Sequence, residues 1–182
     1  LIKEDINLIA KCVLNIPKNI PLRKNKKGEY IKSRREYYDP KNIYYEGKKV
    51  EYIGLNENWN DKKNEWLYCL TYNKHIVKIG MTISSLKERY SSYSCGTVRA
   101  MKKGSCSTTN FIISECNFHA LSKGMDVEIY GIPCPLVKKE ITRFGLTKIC
   151  NVSCVRDQET MLMESFKKEY SYKPVLCVQE GK

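Results

Sequence analysis

Residues 65–93, EWLYCLTYNKHIVKIGMTISSLKERYSSY, decide how the rest of the chain is read. Two runs rich in aromatic and branched side chains, 65–72 and 75–81, flank Asn73-Lys74, residue types that favour a tight turn. The pattern predicts a strand, a turn and a second strand. A helix follows: Ser85-Leu86-Lys87-Glu88 has the form of a capping box, and Leu86, Tyr90 and Tyr93 recur at i, i+4 and i+7. Arg89 and Tyr93, four apart, share a helical face.

Turn length decides whether the hairpin can carry a site. A three-residue loop, Tyr72-Asn73-Lys74, closes the hairpin at Thr71 and His75 and sets Tyr68 directly across from Lys78. A two-residue Asn73-Lys74 loop would put the two on opposite faces. The three-residue loop is the expectation, with Asn73 or Lys74 left-handed. Taken singly, Tyr68 is an ordinary half-buried strand aromatic and Lys78 an exposed strand lysine. Together with Arg89 and Tyr93 they would bring two phenols, an ammonium and a guanidinium to one place, a set suited to a phosphodiester.

The stretch resembles the GIY-YIG nuclease core, with Trp66-Leu67-Tyr68 for the first tripeptide and Lys78-Ile79-Gly80 for the second. Arg89 stands at the helix arginine and Tyr93 at the histidine or tyrosine one turn on. Lysine in place of the second motif tyrosine is similar to a compact branch, Type II restriction endonucleases that read a short interrupted palindrome of the TCNGA type. Tyr93-Ser94-Cys95-Gly96, Gly104-Ser105-Cys106-Ser107-Thr108-Thr109-Asn110, Leu162-Met163-Glu164-Ser165-Phe166 and Lys173-Pro174 continue the likeness, which spans about residues 65 to 180. Met81 departs from it, because a histidine follows the glycine in the branch and methionine cannot replace its hydrogen bonds. A literal Tyr52-Ile53-Gly54 after Asn42-Ile43-Tyr44 is a decoy. Seven residues separate those tripeptides, too few for the family hairpin, and no arginine on a capped helix follows. Residues 42–54 read instead as a local strand pair around Glu46-Gly47.

The resemblance implies an α+β fold with an antiparallel three-stranded sheet flanked by helices, and residue spacing and charge add an N-terminal helix and basic arm. On this reading residues 1–60 form the helix and arm, and residues 61–182 the nuclease domain with a variable insertion at about 133–155. Charge agrees with an acidic polymer as partner: 32 Lys and Arg against 20 Asp and Glu give a net +12. Nine dispersed cysteines without a CxxC argue for reduced thiols in a cytoplasm rather than a disulfide frame, and against a zinc ribbon. His75, at the turn, reads equally as a solvated turn residue. No stretch approaches the ~20 apolar residues of a membrane span, and no secretory signal is visible.

Ile2, Ile6, Ile9 and Val13 are spaced as on an amphipathic helix over 2–14, ended by Pro17 and Pro21. From Lys18 to Lys41, nine basic residues and three acids interleave with Tyr30, Tyr37 and Tyr38, a segment that suits either a phosphate backbone or solvent, and Asp39-Pro40 marks its end. Lys102, Lys103, Ser105, Ser107, Thr108, Thr109 and Asn110 precede an apolar helical run. They serve to cap that helix or to contact DNA. Residues 126–132 alternate as a third strand. Residues 133–151 are an excursion that periodicity does not resolve, a place for base-reading contacts tested by alanines at Lys138, Arg143 and Lys148. Asp157 reads as the N-cap of a last helix over about 158–170, with Leu162, Phe166 and Tyr170 as its buried stripe.

The resemblance assigns the chemistry. Glu164 would hold one Mg²⁺ together with waters and substrate. Arg89 would clamp the scissile phosphate of double-stranded DNA. Tyr68 would act as the base: a free tyrosine titrates near ~10, and ionising it near neutrality takes about 3–4 kcal/mol, which Lys78 and Arg89 could supply. Tyr93 would bond the phosphate or the attacking water. On helix spacing alone Glu164 is an ordinary exposed glutamate, and Glu159 is the alternative ligand. A homodimer matches a palindrome, with the glutamate free to act across it. Two other readings stay open, a structure-specific or mobile-element GIY-YIG nuclease and a non-catalytic basic DNA-binding protein.

Overall fold

The computed structural model describes residues 6–15, 26–27, 49–94, 96, 100–101 and 103–177. Lys102 and all of the basic arm but Lys26 and Lys27 lie outside them, as do the expected pairing around Glu46-Gly47 and the chain before Ile6. The fold is α+β. Strands β1 (Asn7–Asn15), β2 (Lys49–Gly54), β3 (Glu65–Tyr72), β4 (His75–Thr82) and β5 (Val127–Cys134) form one antiparallel sheet in the order β2-β1-β5-β3-β4. Five strands thus replace the three expected: β5, β3 and β4 are the anticipated trio, and β1 and β2 extend it. Residues on both sides of position 60 therefore share a sheet.

Helix α1 (Leu86–Ser94) and α2 (Thr108–Ser122) cover one face of the sheet, and α3 (Val155–Tyr170) covers the β3–β4 half of the other. Seven of the eight residues of β3 are buried, because this strand has helices on both faces. Alternate residues divide between the layers: Trp66, Tyr68 and Leu70 join the main core with Leu86, Tyr90 and Ile113, whereas Cys69 packs with Ile79 and Phe166 under α3. Leu86 is fully buried, and its replacement by alanine should cost about 2–5 kcal/mol.

In its described part, the helix expected over 2–14 is strand β1. Its branched residues satisfy a helical spacing and a strand equally well, and two partners, β2 and β5, decide the matter by pairing both backbone edges. A register shift between Leu8 and Ala10 turns both Ile9 and Ala10 inward, which is why the apolar positions are not strictly alternate. Glu128 on β5 ties the sheet together from its polar side, accepting Lys74 Nζ at 2.6 Å from the β3–β4 turn and facing Lys11 Nζ of β1 at 3.5 Å.

The hairpin loop differs from expectation. Tyr72 pairs with His75, so the loop has two residues, Asn73 and Lys74, with φ of 46° and 68°. Both are left-handed, as a two-residue turn matching strand twist requires. A register shift between Leu70 and Thr71 then inserts one extra residue in β4. Beyond it Leu70 faces Lys78 and Tyr68 faces Gly80. The bulge restores the parity that the short loop would have lost, and Tyr68 and Lys78 share a face two residues out of rank. His75 is exposed at the turn.

The insertion is a second hairpin, β6 (Val137–Arg143) and β7 (Leu146–Val152), closed by Phe144-Gly145. Helix α3 begins earlier than Asp157. Cys154 is its N-cap without a side-chain capping bond, and Asp157 lies in the first turn, where a carboxylate suits the helix dipole. After α3 the chain returns along the free edge of β4: Leu176 N–H donates to Val77 O at 2.8 Å, and Cys177 Sγ lies 3.3 Å from Ile79 N and 3.4 Å from Ile79 O. That segment covers the edge that would otherwise be open for pairing. Among the described residues, no helix is long and apolar enough to cross a membrane.

Candidate active site

Tyr68 stands between two glycines, Gly80 on β4 and Gly131 on β5, each directly across the ladder from it. The first is required by the ring itself. A Cβ at Gly80 would lie 2.5 Å from Tyr68 Oη and 2.6 Å from Cζ, so the phenol lies flat over a bare stretch of backbone. A Cβ at Gly131 would come within 3.0 Å of Ile9 and Leu86, and its absence lets α1 sit close to the sheet. Helix α1 starts where expected, with Ser85 Oγ accepting from Glu88 N at 3.3 Å. Leu86, Tyr90 and Tyr93 are all fully buried.

Those contacts bring three of the expected residues together. Tyr68 Oη and Tyr93 Oη are 2.6 Å apart, and Arg89 Nε donates to Tyr68 Oη at 3.2 Å. The Arg89 guanidinium also lies over the Tyr93 ring, 4.8 Å from its centroid. Tyr90, between Arg89 and Tyr93 in register but on the core side, braces both phenols edge-on at 5.3 and 5.2 Å. Burial, reinforced by neighbouring Tyr68, holds the Tyr93 phenol well above its usual range despite Arg89 beside it. That favours the protonated form of Tyr93, and either hydroxyl can be the donor in the contact between the two phenols. Burial acts to lower the Arg89 pKa, but the two phenols outweigh it and the guanidinium stays firmly charged.

Lys78 lies at the half-exposed edge of β4, with Nζ 3.9 Å from Cys177 Sγ. The half-buried Glu159 of α3 lies within range of its charge and of that of Arg89. Burial pushes the Glu159 carboxyl up, opposed by the positive charges of Lys78, Arg156 and Arg89 around it. Glu164 is exposed and lies off the face of α3 that meets the sheet. The helical spacing explains the difference in burial: Val155, Leu162 and Phe166 anchor α3, and Glu159 falls on the same stripe, four after Val155 and three before Leu162. Arg156, three residues before Glu159 on the helix, is exposed and adds a further positive charge in its surroundings.

The polar cluster is split. Ser107 caps α2, accepting from Asn110 N at 3.1 Å, and Ser105 Oγ donates to Ala100 O at 3.2 Å. Lys103, Ser105, Ser107 and Thr108 are exposed, while Thr109 and Asn110 are half-buried. Gly96 sets this corner beside the phenols. Its N–H donates to Tyr93 O at 2.9 Å, and a Cβ there would lie 2.2 Å from Asn110 O.

Among the described residues no group of three or more His, Cys, Asp and Glu is placed to hold a metal ion. A single half-buried carboxylate fits Mg²⁺ nonetheless, because that ion keeps several waters and takes few protein ligands. Glu159 meets that description. Its ionised form is disfavoured by burial, and a divalent cation would favour it.

No family model and no curated protein sequence matches the chain. Among solved structures it is similar to the restriction endonuclease HPY188I in complex with product DNA, at 26% identity and a TM-score of 0.50, over 98% of this chain and 83% of that one. It is also similar to a bacteriophage T4 EndoII mutant, at 18% identity and a TM-score of 0.42, over 68% and 81%.

Proposed function

We propose that the chain is an Mg²⁺-dependent endonuclease that hydrolyses phosphodiester bonds of double-stranded DNA at a short palindrome, as a homodimer in a reducing cytoplasm. The observation that carries the nuclease reading is the meeting of Tyr68, Tyr93 and Arg89, with Lys78 on the neighbouring edge of β4 and the half-buried Glu159 of α3 within range of the Lys78 and Arg89 charges. The likeness to a restriction endonuclease along nearly the whole chain supports DNA as substrate. The net charge of +12 supports it independently.

Tyr68, as its phenolate, takes the proton of the attacking water. Its oxygen is held for that role by the Arg89 Nε–H and by the hydroxyl of Tyr93, which remains protonated and so keeps its hydrogen bond when Tyr68 ionises. Arg89 serves two acceptors, since its Nε meets Tyr68 and its remaining N–H groups are available to the scissile phosphate. Lys78 adds positive charge on the edge where the attacking water and phosphate would enter. Glu159 would hold the metal, which when bound supplies charge neutralisation at the phosphoryl group and the departing oxygen. Lys103, Ser105, Ser107, Thr108, Thr109 and Asn110 would contact the DNA beside Tyr93, with Lys102 as part of the same segment. The half-buried positions of Glu159 and Arg89 limit bulk water, which strengthens each charge interaction.

A supercoiled plasmid incubated with Mg²⁺ tests the proposal, wild type beside Glu159→Gln and Glu164→Gln, with fragment ends sequenced. Discrete bands lost only in Glu159→Gln, with ends at one palindrome, are the expected result. A smear lost in that variant would retain the nuclease and remove site specificity. Intact plasmid with wild type would remove the nuclease. Gel filtration of cutting-competent protein as a monomer would remove the dimer.

A further inference from the structure

The β6–β7 hairpin is unlike the rest of the molecule. No residue of either strand is buried, and among the described residues the two pair only with each other. At its tip Phe144 is 98% exposed with φ of +54°, a backbone conformation that a bulky side chain rarely adopts. Leu146 and Ile149 are also exposed. Free in water, such a surface has no folding reason to exist.

Its charge is organised by face. In the ladder Lys139 faces Cys150, Ile141 faces Lys148 and Arg143 faces Leu146, so Lys139, Lys148 and Arg143 share one side with no acid among them. The opposite side pairs Lys138 with Asn151, Glu140 with Ile149 and Thr142 with Thr147, and its one lysine and one glutamate cancel. A twisted two-stranded ribbon with one cationic face and an apolar tip is the shape and sign that a duplex groove admits. A second copy of this chain fits less well, since a two-fold contact through the cationic face would set like charges together.

The position of the ribbon also favours DNA. Its root is held by Ser153 Oγ donating to Glu65 at 2.7 Å and by Val155 packed with Leu67 and Cys134. Glu65 is three residues before Tyr68, and Val155 one helical turn before Glu159, so the ribbon leaves from the rim of the site. Seven residues of strand reach roughly 20 Å, enough to cross a groove from that rim.

We propose that the β6–β7 ribbon enters a groove of the duplex, with Lys139, Arg143 and Lys148 against the phosphates and Phe144 leading as an apolar wedge. This rests on the DNA-cleaving reading, but its test does not depend on cleavage. Binding of the full chain to a duplex of about 30 base pairs is followed by fluorescence anisotropy, without divalent metal and over a range of salt. The triple substitution of Lys139, Arg143 and Lys148 by Ala should make the slope of log affinity against log salt shallower by about 2 to 3. Phe144→Ala should weaken binding severalfold at an unchanged slope. If the alanine triple melts early, the glutamine triple, which keeps more of each side chain and remains uncharged, is read in its place. A triple variant with the wild-type slope overturns the proposal. So does sedimentation showing that Phe144→Ala dissociates a wild-type dimer while DNA affinity is unchanged, which would make the ribbon a contact between copies. Wild type that cuts while the variants keep its slope loses the ribbon and keeps the nuclease. Wild type that binds through the ribbon yet cuts nothing loses the nuclease and keeps the ribbon.

Discussion

Tyr52-Ile53-Gly54 on β2 and Lys78-Ile79-Gly80 on β4 are nearly the same tripeptide at opposite edges of one sheet. Their glycines even do similar work. A Cβ at Gly54 would lie 2.3 Å from the Trp59 ring, and one at Gly80 would lie 2.5 Å from the Tyr68 hydroxyl. The difference is what the crossing ring carries. Trp59 ends in the aromatic core against Tyr90. Tyr68 ends in a hydroxyl that meets Arg89 and Tyr93. Tyr52 itself is spent on structure, accepting from Asn117 Nδ2 at 3.1 Å and packing on Tyr90. A glycine under an aromatic ring is a packing device, and it becomes part of a site only when the ring ends in a group that chemistry can use.

Paired substitutions at the two edges can break that comparison. The largest effect is expected from Tyr68→Phe, which should lower the rate of DNA cleavage by about 10²–10⁴-fold with little change in Tm. Tyr52→Phe should leave cleavage intact and cost about 1 kcal/mol of stability, read from denaturant melts, because it removes the acceptor for Asn117. Equal losses of activity in the two would show that no site is centred on Tyr68.

The carboxylates of α3 sharpen the same point. Glu159→Gln should lower Mg²⁺-supported cleavage by at least about 100-fold, while Glu164→Gln stays within about twofold of wild type. The reverse ranking would mean that the exposed glutamate reaches a site elsewhere, such as that of a second subunit.

Gly80→Ala should displace the buried Tyr68 ring and cost activity out of proportion to stability. Gly54→Ala should cost about 1–3 kcal/mol of stability by overpacking Trp59, with activity falling only as folded protein is lost. Thermal melts beside initial rates separate the two.

The smallest effect is expected at the tie between the two halves of the sheet. Burial acts to raise the Glu128 carboxyl, but Lys74, Tyr130 and Lys11 outweigh it and hold it below its ordinary value. A lowered folded pKa gives stability that is present above the unfolded value and lost as pH falls through the folded one. Glu128→Gln should therefore melt slightly below wild type at neutral pH, and the two curves should converge below about pH 4. A gap that persists in acid would assign the role of Glu128 to packing.

Much of this arrangement was legible in the chain. The strand limits of 65–72, the start of α1 at Leu86 and the buried stripe Leu86, Tyr90 and Tyr93 follow from local pattern, because side-chain period and capping chemistry are local properties. The rejection of Tyr52-Ile53-Gly54 as the motif hairpin rested on spacing, and the structure pairs that segment with β1 instead. Strand β1 and the hairpin loop depart from local pattern for one cause, and the exposure of the α3 carboxylates follows it too. Strand β1 has the composition of a helix face and becomes a strand because β2 and β5 flank it. The bulge at Leu70/Thr71 lets a two-residue turn keep Tyr68 and Lys78 on one face, a result no turn rule contains. Glu159 and Glu164 are equal as letters, and only the docking of α3 through Val155, Leu162 and Phe166 turns the first inward and the second to water. What the sequence by itself determined was the set of chemical groups and their local periods. Which of them meet was decided by strand pairing and helix docking, since those depend on partners that lie far apart along the chain.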